Sequence, residues 1–151
     1  NVKTIAFEPI TSTYEKLLSN LKLNNFENQV ATYNCGLSNK NYISKMKTQK
    51  KFGYYQSAGY APHKNGNVTS ELRKLDDIIS FNNKKILIKI DTEGHEKFVI
   101  EGAKKLLEAN RVFLQVEILN NFLEINKILT KMKFVLLFSF NGDYFYKKIE
   151  Y

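Results

Sequence analysis

The side chains best suited to chemistry gather where apolar runs stop. Glu8 closes the run in IAFEP, Asp91 closes ILIKID and opens DTEGHE, and Glu117 lies near the end of FLQVEI. A carboxylate ending a strand of a nucleoside-binding sheet, as Glu8 could, accepts both hydroxyls of a ribose; the plainer alternative is a solvated loop acid beside Pro9. Side chains alternate along a strand, so Ile86, Ile88 and Ile90 face one way and Leu87, Lys89 and Asp91 the other. A lysine inside such a strand needs a partner. If the run Val112 to Ile118 lies beside it in comparable register, Lys89, Asp91, Gln115 and Glu117 form one polar cluster at the sheet's carboxyl edge. That cluster is either a structural ion pair or a ligand site, and its place at the edge favours the site.

Asp91, Glu93, His95 and Glu117 offer oxygen and imidazole donors, yet their spacing matches no standard metal site, and none is assigned. His95 titrates near neutral pH and suits a general base; an exposed first-turn histidine is the alternative. His63 reads as solvated. Cys35 reads as a small strand-end residue, since no motif ties a histidine to it.

The elements that must position these groups alternate between strand and helix. Strands are expected at Val2 to Phe7, Val30 to Cys35, Ile86 to Ile90, Val112 to Ile118 and Phe134 to Phe140. Helices are expected from Thr11–Thr13 to Asn24, over Asp76 to Phe81, from Glu93 to Asn110, and from Asn121 to Lys131. Asn141-Gly142-Asp143 turns the chain into a last antiparallel strand, Tyr144 to Ile149. Val68 to Lys74 fits either type. Residues 39 to 70 read as an insertion, with a hairpin around Tyr42 to Met46 and otherwise irregular structure. Such alternation implies an α/β fold: a mainly parallel sheet with helices on both faces and ligands beyond the strands' carboxyl ends.

Composition narrows the classes further. The chain has 151 residues with 23 basic and 15 acidic side chains, a formal charge of +8. A chain of this size buries roughly 70% of its extended surface, enough for one core, so a single domain over 1–151 is expected. At 43% hydrophobic residues it is not a disordered tail, and no apolar run is long enough to span a bilayer. The positive surplus is local. No Asp or Glu occurs between Asn28 and Ser70, where Lys40, Lys45, Lys47, Lys50, Lys51 and Lys64 lie. Only Arg73 and Arg111 are arginines, and bidentate phosphate reading favours arginine, so nucleic acid is not an expected partner. Cys35 stands alone, which excludes an intramolecular disulfide; with no signal peptide at the start, a cytoplasmic protein is expected.

Taken in order, IAFEP with a leucine-rich helix ending in LKLN, YNCGLSNK, RKLDDII, ILIKIDTEGHEKFVIEGAKKLL and FLQVEI resemble the FkbM family of S-adenosylmethionine-dependent methyltransferases. The resemblance runs from Val2 to about Ile118, and the remainder suits the last helix and hairpin of a class I, Rossmann-like methyltransferase sheet. It implies that Glu8 binds the ribose hydroxyls of S-adenosylmethionine and that Cys35 and Gly36 lie near its adenine. Asp91 and Glu93 would border its methionine end. It also implies O-methylation of a hydroxyl on a sugar, glycan or secondary metabolite, by in-line displacement at a sulfonium methyl group. Asp91, His95 and Glu117 are the candidates for handling the hydroxyl's proton. The basic insertion would lie over the acceptor side, where it could attract an anionic substrate.

One departure matters. The family's cofactor site begins with a strand and a glycine-rich turn upstream of FEP, but here FEP starts at Phe7 and the first glycine is Gly36. The chain is therefore expected to be an N-terminally truncated, impaired form. Its strands at 2–7 and 86–91 would pair directly or with another chain, since open apolar edges invite a homo-oligomer. The competing reading is a non-catalytic remnant acting as a binding or assembly module. A nicotinamide-dependent oxidoreductase would share Glu8 but not IKIDTEGHE.

Overall fold

The computed structural model describes residues 2–47, 49–51, 54–56 and 62–149, with 49–51 and 54–56 as backbone alone. Strand β1 (Thr4–Phe7), helix α1 (Thr11–Leu23) and strand β2 (Val30–Tyr33) form a first unit in which β1 and β2 pair in parallel. Phe7 and Tyr33 stack across the pair at 5.2 Å. Next come β3 (Gly36–Leu37), β4 (Tyr42–Met46), β5 (Gln49–Lys51), β6 (Tyr54–Gln56) and β7 (Val68–Arg73). A 3₁₀ turn at Leu75–Asp77 then leads to β8 (Lys85–Ile90), α2 (Glu96–Gly102), α3 (Lys104–Ala109) and β9 (Arg111–Glu117). Helix α4 (Phe122–Lys131) and the hairpin β10 (Phe134–Phe140) and β11 (Asp143–Lys148) complete the order.

The main sheet runs β10-β11-β9-β8. Strands β8 and β9 are parallel, whereas β11 is antiparallel to both β9 and β10. The expected α/β architecture and final antiparallel hairpin are present, and β1–β2 and β8–β9 pair in parallel as expected, but the strands form separate sheets rather than one. Reversal at Asn141-Gly142, both at positive φ, inserts β11 between β9 and β10 and makes two of the three pairings antiparallel.

One face of this sheet carries the core. Val112, Leu114 and Val116 alternate inward along β9 and meet Ile100 and Leu107 of the α2–α3 segment and Leu129 of α4. The opposite face is uncovered among the described residues: Leu87 is 76% exposed and Phe138 53%.

Several local expectations change, each for a physical reason. The long helix over 93–110 is two short ones. Glu93 (φ 53°) and Gly94 (φ 100°) lie in left-handed backbone, which delays the start to Glu96. The expected helix over 76–81 is only the 3₁₀ turn, because Asp76 serves another element. Its carboxylate accepts the Lys105 and Leu106 amides at 2.8 and 2.9 Å, capping α3. The cap of α1 is Ile10 rather than Thr11, Ser12 or Thr13, and Glu8 Oε1 accepts the Ile10 amide at 2.8 Å. Gly36 does not close β2 but opens β3, parallel to β7.

The insertion is more regular than expected. Tyr42–Met46 pairs antiparallel with Val68–Arg73 rather than folding back on itself, which settles Val68 to Lys74 as strand. Residues 52, 53 and 57–61 of the insertion lie outside the described residues. On β4, Ile43 and Lys45 are exposed on the face opposite buried Met46, so the Lys45 charge turns away from the interior.

Candidate active site

Strands β1 and β8 do not pair with each other. Each is held on its other side, β1 by β2 and β8 by β9, and a cleft of about 620 Å³ separates them. Ile5 and Phe7 line one wall, Ile86 and Ile88 the other, and Leu72 with Met46 lies at the side. Direct pairing of the two strands is thereby corrected. Both strands point their carboxyl ends at the same polar rim, which holds Glu8, Asp91, Thr92, Glu93 and His95.

Glu8 ends β1 half-buried. Burial pushes its carboxyl above the usual range, opposed by the Ile10 N–H. One oxygen is used on that amide and the other remains for a ligand. Asn34 donates to the Glu8 carbonyl at 2.8 Å and fixes the turn. Gly36 also lines the cleft, but its small size serves packing: a Cβ there would meet Leu72 Cδ2 at 2.4 Å. Cys35 is buried and does not line the cleft; burial pushes its thiol up, away from thiolate chemistry.

The cluster at the end of β8 forms as the register requires. Lys89 lies opposite Gln115 and Ile90 opposite Val116, which brings Asp91 level with Glu117. Lys89 Nζ donates to Asp91 Oδ2 at 2.7 Å. This bond lowers the Asp91 carboxyl, and a hydrogen bond with Glu117 lowers it further; the same bond raises Glu117. The pair therefore shares a proton more readily than two separate acids would. Asp143, absent from the sequence-derived candidates, joins from β11 and accepts from Gln115 Nε2 at 3.0 Å. Oxygens of Asp91, Glu93 and Glu117 lie within 4.8 Å of one another, close enough geometrically for a cation, though Lys89 already offsets part of their charge.

The DTEGHE loop is built around a residue that motif reading passed over. Glu96 is 2% exposed, and its Oε1 accepts from the Thr92 amide, the Thr92 hydroxyl and the Gly94 amide at 3.1, 3.0 and 2.9 Å. His95 is buried rather than exposed, 8% accessible, and lines the cleft. Burial pushes its imidazole down despite the nearby Glu96 charge, so it is neutral at pH 7. Its Nε2 lies 3.0 Å from Ser38 Oγ. Nothing in the spacing of Ser38 and His95 along the chain reveals that contact. His63 stands apart from the cleft lining.

The chain is thus a mixed α/β domain in which acids gather beyond the strand ends, beside an apolar cleft. The family model for the methyltransferase FkbM domain matches residues 1–136, and the chain belongs to that family. The fold is similar to the crystal structure of methyltransferase FkbM from Methylobacillus flagellatus KT, with a TM-score of 0.62 and 16% identity. The match covers 96% of this chain and 36% of that one, so the chain spans about a third of the relative's length. No curated protein matches the chain. No helix among the described residues is long and apolar enough to cross a membrane.

Proposed function

We propose that this domain takes part in S-adenosylmethionine-dependent O-methylation of a hydroxyl on a sugar, glycan or secondary metabolite. The observation that carries the reading is the cleft between β1 and β8, with Glu8 at one carboxyl end and the acids Asp91, Glu93 and Glu117 at the other. The residues fit the cofactor in three respects. Glu8 keeps a free carboxylate oxygen for a ribose hydroxyl, and the acidic end suits a ligand carrying sulfonium and ammonium charges. The apolar walls suit a heterocycle, and Gly36 borders them.

Bound there, S-adenosylmethionine supplies an electrophilic methyl group. Glu8 orients the ribose, Asp91 and Glu93 hold the cationic end, and the cleft walls exclude water. His95, neutral and at the rim, takes the acceptor's proton; the Asp91–Glu117 pair holds the hydroxyl in line. The buried free thiol of Cys35 suits a reducing, cytoplasmic setting. Calorimetric titration with S-adenosylmethionine tests the reading. Micromolar binding weakened at least about tenfold by Glu8→Ala, a change of roughly 1.4 kcal/mol, is the expected result. No heat of binding, or a Glu8→Ala variant that binds unchanged, would sink it.

A second reading, an assembly module, is favoured by the uncovered sheet face rather than by the lysine-rich insertion. Leu87 and Phe138 are more than half exposed, and Phe138 stacks on Phe145 at 4.4 Å, presenting an apolar patch to a second copy of the chain. Sedimentation should then show self-association that the double substitution Leu87→Lys/Phe138→Lys removes. A protein that is monomeric across the micromolar range excludes this face as a homo-oligomer contact.

A further inference from the structure

We propose that Ser38 is a positioning residue for His95: its hydroxyl oxygen accepts the imidazole Nε2–H and leaves Nδ1 as the nitrogen available to a substrate hydroxyl. The inference rests on the reading that His95 serves the acceptor. Its geometric basis stands apart from that reading. His95 Nε2 and Ser38 Oγ are 3.0 Å apart and both residues are buried. His95 caps α2 by its backbone position, but its side chain makes no capping bond, so Nδ1 is not spent on the helix. The ring is also held by Phe98, with centroids 4.7 Å apart.

Ser38 itself is clamped from two elements. Its amide donates to the Arg73 carbonyl on β7 at 2.8 Å. From the other side, α2 packs so closely that a Cβ on Gly102 would lie 1.9 Å from the Ser38 carbonyl oxygen. Next in the chain, Asn39 Nδ2 donates to Glu101 Oε2 at 2.8 Å. Ser38 is thus fixed against the helix that His95 caps, and ring and partner move together.

The direction of the bond decides what His95 can do. With Nε2–H donating to Ser38, Nδ1 carries the lone pair, and proton uptake at Nδ1 leaves the Ser38 bond unbroken. With a methyl donor bound, Nδ1 would take up the proton that the acceptor hydroxyl loses as its oxygen is methylated. The reverse tautomer would place N–H at Nδ1 and remove the base. A serine rather than a carboxylate as the partner keeps the ring uncharged at rest.

Nitrogen NMR of the ¹⁵N-labelled imidazole in the full protein tests the proposal without turnover. Wild type should show a single neutral tautomer protonated at Nε2. Ser38→Ala should mix the two tautomers, and Ser38→Thr, which keeps a hydroxyl, should restore the wild-type pattern. An Nδ1–H tautomer in wild type, or a spectrum unchanged by Ser38→Ala in a folded protein, overturns it. With a turnover assay, Ser38→Ala should lower kcat about tenfold, a part of what a general base contributes, with KM within about twofold. A lowered Tm with kcat untouched would make the pair structural and overturn the proposal. Failure of the methyltransferase reading shows differently: no turnover in wild type, with the imidazole signature intact.

Discussion

Gly102→Ala should destabilise this protein by more than about 3 kcal/mol, although glycine-to-alanine changes inside helices ordinarily stabilise by up to about 1 kcal/mol. The sign reverses because of space. An added Cβ would stand 1.9 Å from the Ser38 oxygen, 2.8 Å from its carbonyl carbon and 3.2 Å from Asn39 Cα, all backbone atoms that no rotamer change can move. Relief requires α2 to shift away from residues 38–39. Interiors packed at crystal density transmit such a shift rather than absorb it. The helix would drag His95 from Ser38 and Glu101 from Asn39, since both bonds span the same contact. For a domain of this size, about 3 kcal/mol lowers Tm by roughly 10 °C. A Tm equal to or above wild type would show that α2 does not pack on residues 38–39 in this way.

That contact also marks the limit of what the sequence discloses. Strands with strongly apolar runs and clear ends, such as Ile86–Ile90 and Phe134–Phe140, were legible, and so was the register that joins Lys89, Asp91, Gln115 and Glu117. Those are consequences of period-two geometry between neighbouring strands. The pairing of Tyr42–Met46 with Val68–Arg73 was not legible, because a polar, lysine-rich stretch carries little alternation and its partner is some twenty residues away. The break of the 93–110 helix escaped for a different reason. Helical periodicity in EKFVIEGAKKLLEA is continuous through Gly102, and only the close approach of Ser38 shows why a glycine stands there.

The site divides along the same line. Glu8, Asp91 and Glu93 follow from strand ends and motif, so residue type and position sufficed to place them at the cleft. Ser38 and Asp143 reach the site through tertiary contacts with residues 57 and 28 positions away, which no local pattern encodes. Cys35 shows the converse: next to Gly36 in sequence, it lies in the bend between β2 and β3 and is buried outside the cleft. Lys45 of the basic insertion is exposed on the face of β4 opposite buried Met46, an orientation set by its pairing with β7.

Glu96→Ala should loosen the loop that carries Asp91, Glu93 and His95 and cost about 2–4 kcal/mol of stability. A single carboxylate oxygen accepts three hydrogen bonds there, from Thr92 N–H, Thr92 O–H and Gly94 N–H. Charge-assisted bonds contribute about 1.5–3 kcal/mol each in isolation, but burying the carboxylate offsets much of that sum. The deletion is costly mainly because three donors lose their acceptor at once. Two backbone conformations depend on them: Glu93 and Gly94 both hold positive φ, and for Glu93 that region is intrinsically unfavourable. Without the acceptor, Glu93 has every reason to relax, carrying its carboxylate away from Asp91 and Glu117. Glu96→Gln separates charge from geometry, since an amide oxygen can accept the same three bonds; its cost should be about 1 kcal/mol. Amide hydrogen exchange at Thr92 and Gly94 reads the effect directly. Both amides should lose protection in the alanine variant and keep most of it in the glutamine variant. Equal protection in wild type and alanine variant would mean that the loop holds its shape by backbone contacts alone, and that Glu96 contributes only its burial to the fold.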